Sequence, residues 1–416
     1  MRKVSNYFNS GVMLLNLEQM RRDHTAEVLI ETKRRIQDSM LMDQNVLNLV
    51  FDNKILFLPI KYNFLYVNLV RSRDKYTMEE INETYQTEYQ NLREALLDAV
   101  VVHFSSKDKP WKHAEAPLAS EWYAYYLQIV EKFPGLAVIE LEVEKRLAIL
   151  KSLRDSTTPI VSVIMPVFNS AKYLEESLQS IQEQTLDTIE IICVNDGSTD
   201  ESLEILNRYA AKDSRIRVLS QANKGQSAAR NVGVEHASGQ YLYFFDSDDL
   251  CVITGLSKMA LEATKHALEL LLFDGTSFYE SKELEEKHPV YKQYYLRKAA
   301  YNGVYSGEQL YLQMLENYDY KVSPCLQFIR REFLQKNAIV FREGIIHEDN
   351  LFSFQVLLTA AAAMHISDIL FKRRVRANST MTSQKEYKNF EGYFTCLIGF
   401  LEYVNSHQYQ FRKHND

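Results

Sequence analysis

Between residues 159 and 250 the chain alternates short apolar runs with longer segments whose apolar residues recur every three or four positions. Ile160–Met165 is a β-branched run leading into Pro166. Leu174, Leu178 and Ile181 follow at i, i+4 and i+7, the spacing of one helix face. Ile189–Val194 reads as a second buried strand, closed by Asp196-Gly197-Ser198, and the next helix carries Leu203 and Leu206 on one face. Ile216–Leu219 predicts a third strand, Gly225–Ala237 a helix rich in small residues, and Tyr241–Phe245 a fourth strand. Strands alternating with helices of this length make βαβ units and a mostly parallel sheet. Strands that are apolar almost throughout are covered on both faces. The fold class is therefore α/β.

Further along, the pattern predicts a helix over Thr254–His266, a strand over Leu270–Asp274, a helix over Gly307–Asn317, a strand over Leu326–Arg330 and a long helix over Asp349–Ala363. Tyr279–Gly303 is charged and Tyr-rich and reads as a surface excursion. No run reaches the ~20 apolar residues of a membrane span. Val356–Ile366 comes nearest, but it holds Thr359 and His365 and reads as a buried helix. The first 150 residues have another texture: a strand at Gly11–Leu17, the apolar run Ile55–Phe64, and a helix over Met78–Ala99. A charged helix at Val138–Leu153 leads through Asp155–Pro159 into the α/β region.

Composition narrows the function. The chain has 416 residues, 48 Lys plus Arg against 55 Asp plus Glu, and a formal net charge of −7. A non-specific nucleic-acid binder needs a cationic surface, so that class is excluded. The 26 Tyr and 21 Phe supply core and ring surfaces for stacking on sugars or bases. Four dispersed cysteines, Cys193, Cys251, Cys325 and Cys396, form no CxxC pair and read as free thiols of a reducing cytoplasm. The N-terminus has no small-residue cleavage site after its short apolar run, so a secretory signal is not expected.

Ligands of an open parallel sheet bind at the carboxyl ends of the strands. The polar clusters Pro166–Asn169, Asn195–Asp200 and Asp246–Asp249 all fall there. Asp246, Asp248 and Asp249 follow directly on an apolar strand. Like charges this close repel unless a cation neutralises them, and hard divalent ions take oxygen ligands. A solvated acidic turn or helix cap is the alternative. Arg230 lies among small residues that permit close packing or approach to a ligand; it also fits a surface position on a helix. Phe168 fits a base-stacking ring or a core residue. His347-Glu348-Asp349 opens a helix, as acidic capping or as a carboxylate base at the mouth of a site.

Taken in order, PVFN (166–169), VNDGSTD (194–200), GQSAARNVG (225–233), FFDSDD (244–249) and HEDNLF (347–352) resemble the family 2 glycosyltransferases of GT-A fold, from about Thr158 to Ser383. The resemblance implies a Rossmann-like, mostly parallel sheet that binds a nucleotide-sugar. It assigns Pro166, Phe168, Asp196 and Arg230 to the nucleotide, Asp246 to its ribose, and Asp248 to a divalent metal (Mn or Mg) on the diphosphate. Asp349 becomes the general base, and Arg374 and Arg376 a diphosphate clamp. Phe168 stands where Tyr is commoner and Asn195 where Asp is commoner.

A second resemblance precedes it. YFNSGVMLLNL (7–17), DQNVLN (43–48), LPIKYNF (58–64) and HFSSKDKPWK (103–112) look like the C-terminal half of the retaining family 8 glycosyltransferases. That implies Asp43 and Gln44 beside a reacting sugar, His103 on a metal and Lys109 on a diphosphate. Ser106 departs from the family's Gly. The family's own nucleotide-binding strands would lie upstream, so this incomplete α/β module is expected to be vestigial, as a remnant or a truncation, with the missing half as a candidate partner. The expected organisation is a partial family 8 module (1–135), a helical linker (136–158), the family 2 catalytic domain (159–383) and a C-terminal helical segment (384–416). The implied function is inverting transfer of a sugar, with UDP as the expected carrier, to a glycan or glycoprotein acceptor in bacterial surface polysaccharide or adhesin glycosylation. The expected site of action is the cytoplasm or the inner face of the membrane, without a membrane span. A non-catalytic scaffold derived from a degenerate transferase is the alternative.

Overall fold

The computed structural model describes residues 141–377 and 387–406 continuously; before them it describes residues 24–35 and the positions 22, 64, 65, 79, 82, 83, 88, 89, 102, 103, 123 and 127. The chain divides into two compact units, Met1–Lys109 and Pro110–Asp416. The described elements of the first unit are helix α1 (Thr25–Arg35) and strands β1 (Phe64–Leu65) and β2 (Val102–His103), which pair in parallel. The strand expected at Gly11–Leu17 and most of the helix expected at Met78–Ala99 lie outside the described residues.

The second unit begins with α2 (Leu141–Arg154), followed by β3 (Val161–Val167), α3 (Ala171–Gln182), β4 (Ile189–Asp196), α4 (Ser202–Ala210) and β5 (Ile216–Gln221). Next come α5 (Gln226–Glu235), β6 (Tyr241–Phe244), β7 (Leu250–Cys251), α6 (Gly255–Lys265) and β8 (Leu270–Tyr279). Then come α7 (Lys282–Lys287), β9 (Val304–Tyr305), α8 (Gly307–Glu316), β10 (Gln327–Arg330) and α9 (Arg331–Lys336). The last elements are α10 (Glu348–Thr359), β11 (Ala363–Val375) and α11 (Tyr387–Ser406). The strands form one sheet in the order β5-β4-β3-β6-β10-β8-β11-β7, with β9 on β11. β5, β4, β3 and β6 run parallel; β10 is antiparallel to both β6 and β8, and β11 is parallel to β8. The expected α/β architecture with a mostly parallel sheet is what forms.

Alternation along the strands sorts the core into two layers. Val161, Val163, Met165, Ile191, Tyr243 and Phe245 pack on one face with residues of α2, α3 and α6. Ile164, Ile192, Val194, Leu242 and Phe244 pack on the other with residues of α5, α8 and α10. Both faces are buried, as the continuous apolar strands require.

Several expectations change. The charged helix read as a linker, α2, packs into the second unit's core through Leu147, Leu150 and Leu153, and Arg146 pairs with Glu262 at 2.8 Å. Val356–Ile366 is not one helix: α10 ends at Thr359, Ala360 is extended, and Ala363–Ile366 opens β11. β11, thirteen residues long, supplies the register for all of β8, which extends past Asp274 to Tyr279. The Tyr279–Gly303 excursion is only partly on the surface, because Tyr295, Arg297 and Tyr301 are buried. Arg297 donates to Asp274 at 2.9 Å there. In α4 the burial falls on Ser202, Ile205 and Leu206, with Leu203 half-buried. All four cysteines are free and buried. Among the described residues no helix is long and apolar enough to cross a membrane.

Candidate active site

The parallel strands deliver their polar residues to one edge. Pro166 is buried near the end of β3, and Phe168, two residues on, is half exposed at 49%. That exposure removes the core reading of Phe168. Its neighbour Asn169 has φ +47° and accepts from the Thr199 backbone N–H at 2.8 Å, while its own N–H donates to Ser198 Oγ at 3.1 Å. The loops after β3 and β4 are thereby tied together.

Asp196 ends β4 and is buried. Its carboxylate accepts from Gln221 Nε2 at 2.8 Å and from the backbone N–H groups of Lys224 and Gly225 at 2.9 and 2.8 Å. It fixes the loop that starts α5. Gly197 follows with φ +72°, and a Cβ there would stand 2.8 Å from the Asn223 nitrogen, so the turn requires glycine.

Arg230 is on the inner face of α5 and is buried. It donates to Asp246 at 2.9 Å and to Glu348 at 3.1 Å, and lies 5.1 Å over the Phe341 ring. A buried cation needs this pairing, since leaving it unpaired is costly. Arg230 thus links the loop after β6 to the first turn of α10. Burial pushes the Glu348 carboxyl above its ordinary range, and Arg230 opposes the shift. Asp349 is raised for the same reason, with Arg230 again opposing. Its side chain accepts from Asn350 Nδ2 at 3.1 Å. His347, which precedes the helix, takes a left-handed φ of +68° and stacks on Tyr393 of α11 at 4.0 Å.

A cavity of about 550 Å³ opens at this edge; Arg230, Asp246, Asp249, Cys325, Asp349 and Arg373 are among its lining. The three aspartates after β6 diverge. Asp246 and Asp249 join Cys325 with ligand atoms within 4.8 Å of one another. Burial raises Asp249 well above the carboxylate range, and the charges of Asp248 and Asp246 add to the shift. Asp248 faces Arg376, whose Nε donates to it at 2.5 Å. The two carboxylates offer the oxygen donors that a hard divalent ion takes, whereas burial pushes the Cys325 thiol up and keeps it protonated, a poor ligand for such an ion.

The basic run on β11 splits by strand alternation. Arg374 donates to Glu176 at 2.6 Å and to the Asp248 carbonyl at 2.9 Å, and its backbone N–H reaches Asp249 at 2.8 Å. Arg374 and Arg376 brace the acidic loop. Arg373 points the other way, into the cavity, and donates to Tyr295 Oη at 3.1 Å. The sequence reading missed Arg373 and gave Cys325 and Glu348 no site role of their own. For Arg373 a signal existed: in a strand, the residue between Lys372 and Arg374 faces the opposite side. Of the expected N-terminal residues, Asp43, Gln44 and Lys109 lie outside the described residues, and His103 is described only as backbone in β2.

An open, mostly parallel sheet thus carries an acidic, arginine-braced cavity at its strand ends. Comparison with known proteins gives two matches: residues 162–336 match glycosyl transferase family 2, and residues 1–115 match glycosyl transferase family 8. The chain is 32% identical over 224 residues to the uncharacterized glycosyltransferase EpsJ of Bacillus subtilis, an alignment covering 53% of this chain and 62% of that protein. It is 29% identical over 235 residues to the glycosyltransferase GlyG of Streptococcus pneumoniae, covering 54% and 74%. Among solved structures, S. aureus TarS 1–349 in complex with UDP-GlcNAc is similar, at 25% identity and a TM-score of 0.48, covering 58% of this chain and 66% of that one. The chain therefore spans about 62% of the length of EpsJ.

Proposed function

We propose that the second unit is an inverting glycosyltransferase that moves a sugar from a nucleotide donor, UDP-linked, to a hydroxyl of a glycan or glycoprotein acceptor in surface glycan synthesis or adhesin glycosylation, on the cytoplasmic side. The observation that carries the reading is the convergence of Arg230, Asp246, Asp249, Asp349 and Arg373 on one strand-end cavity. Phe168, exposed beside Asp196, would stack the base, with Pro166 shaping the turn beneath it. Asp246, braced by Gln226 and Arg230, would hold the ribose.

Asp246 and Asp249 would hold the divalent ion, Mn or Mg, with Cys325 against them, while Asp248, the aspartate expected on the metal, is engaged by Arg376. When bound, such an ion supplies positive charge to the departing diphosphate. Arg373 adds a fixed cation from the cavity wall, and Arg374 and Arg376 keep the acidic loop in place for it. Asp349 takes the proton of the acceptor hydroxyl as that oxygen attacks the anomeric carbon. Attack opposite the leaving diphosphate inverts the centre.

The test is donor turnover across a panel of UDP-, GDP- and dTDP-sugars with Mn²⁺. The expected result is hydrolysis or transfer from a UDP-sugar that stops in excess chelator. Undiminished turnover in chelator would remove the metal role, and no binding of any nucleotide sugar would remove the function.

A further inference from the structure

α11 is apolar on both sides. Gly392, Cys396 and Gly399 are buried against the second unit. A Cβ on Gly392 would stand 2.2 Å from the Ile346 carbonyl oxygen, and one on Gly399 2.8 Å from Leu351, so the helix lies as close as glycine allows. Phe400 packs on Phe354 at 4.4 Å, and Cys396 Sγ donates to the His347 carbonyl at 3.3 Å. This docked side also lines the candidate active-site cavity through Lys388, Glu391 and Gly392.

The opposite side carries Tyr387, Phe390, Phe394, Leu397, Leu401 and Val404, in alternating steps of three and four residues. Relative exposures of the first five run from 50% at Leu397 to 77% at Tyr387. Among the described residues nothing covers them. A stripe of strict 3.5-residue period is the seam of a helix that packs along another helix. In that register Gly392 and Gly399 are both at the outermost position, opposite the seam. The neighbouring rings are already aligned: Phe390 and Phe394 stack at 6.2 Å with 15° between planes. A lipid surface is disfavoured, because interfacial helices carry Lys and Arg beside the apolar face, whereas this helix has Lys388 against Glu391 and Glu402.

We propose that α11 is a self-association helix, pairing antiparallel with α11 of a second copy of this chain about a two-fold axis. An antiparallel pair centred between residues 394 and 397 matches Tyr387 with Val404, Phe390 with Leu401 and Phe394 with Leu397 of the other copy. It sets an aromatic ring against an aliphatic side chain at every level of the seam, whereas a parallel pair sets ring on ring at 387, 390 and 394. The interface is isologous, as a two-fold demands. The exposed seam, with Tyr393 and Ile398 beside it, offers roughly 700–800 Å² per copy, near the ~800 Å² per partner of a standard interface. Pairing would buttress one wall of the cavity from behind.

Analytical ultracentrifugation of the full chain from about 1 to 100 μM covers the affinities such an area supports. A reversible dimer is expected. Phe394→Glu/Leu397→Glu should sediment as a monomer while keeping the parent's circular dichroism and melting temperature. Should that variant misfold, cross-linking stands in its place. Oxidised mixtures of Phe394→Cys and Leu397→Cys should give heterodisulfides in excess over either variant alone, the native Cys396 being buried on the other side. A wild-type monomer throughout the range overturns the proposal, including one that instead co-sediments with phosphatidylcholine vesicles. A dimer that persists in the folded double glutamate variant overturns it too.

Discussion

Asp349 sits in the first turn of α10, where burial has raised its carboxyl above the ordinary range and Arg230 limits the rise. A base must be deprotonated to work, and a raised pKa carries its loss of function upward from the ~3.9 of a free aspartate. kcat/KM should therefore fall on the acid side through a value above that figure. The acid limb should be missing from whatever activity survives in Asp349→Asn. That variant should bind donor like the parent, read by calorimetry, while turnover drops about 10²–10⁴-fold. Full turnover would remove Asp349 from the mechanism. The aspartates of the site were legible in the sequence, because aspartates directly after buried strands can only lie at strand ends. Their division of labour was not. Asp246 and Asp249 share a cluster while Asp248 is engaged by Arg376, and that outcome depends on how β11 passes the loop, which no spacing within the DSDD segment records.

The elements divide along the same line. β3 to β6 were readable because each is a short apolar run that stands alone between helical periods. β11 was not, since Ala360–Ala363 joins helix α10 to the strand in one unbroken apolar stretch with no glycine or proline between them. Only the pairing of β11 with β8, a non-local contact, decides where the helix stops. α11 shows the converse, a helix whose position rests on residues without side chains. Gly392→Ala places a methyl against the Ile346 carbonyl, a backbone atom that cannot swing aside. The helix must shift outward, costing about 1–3 kcal/mol as overpacking usually does. A lower melting temperature is the expected readout. Because Gly392 also lines the cavity, donor affinity should weaken in the same variant, whereas an unchanged melting temperature would mean that α11 docks less closely than described.

At the scale of the whole molecule, matches to two transferase families meet in one chain, and the question is whether both act. The residues that the family 8 resemblance implicates, Asp43, Gln44, His103 and Lys109, belong to the first unit, Met1–Lys109. The acidic strand-end cavity is built within the second unit, from β6, α5, α10 and β11. The two resemblances imply different chemistries, retention for the first set and inversion for the second. A working pair would give two donor sites per chain, with activities that respond to separate substitutions. A vestigial first unit gives one. The expected outcome is a calorimetric stoichiometry of one nucleotide per chain. Turnover should be unchanged when Asp43→Asn, His103→Ala and Lys109→Ala are combined, provided circular dichroism shows the chain still folded. A second binding step that disappears in the triple variant would instead make the first unit an active transferase. The loss of all turnover in that folded variant would mean that the second unit depends on the first for its chemistry.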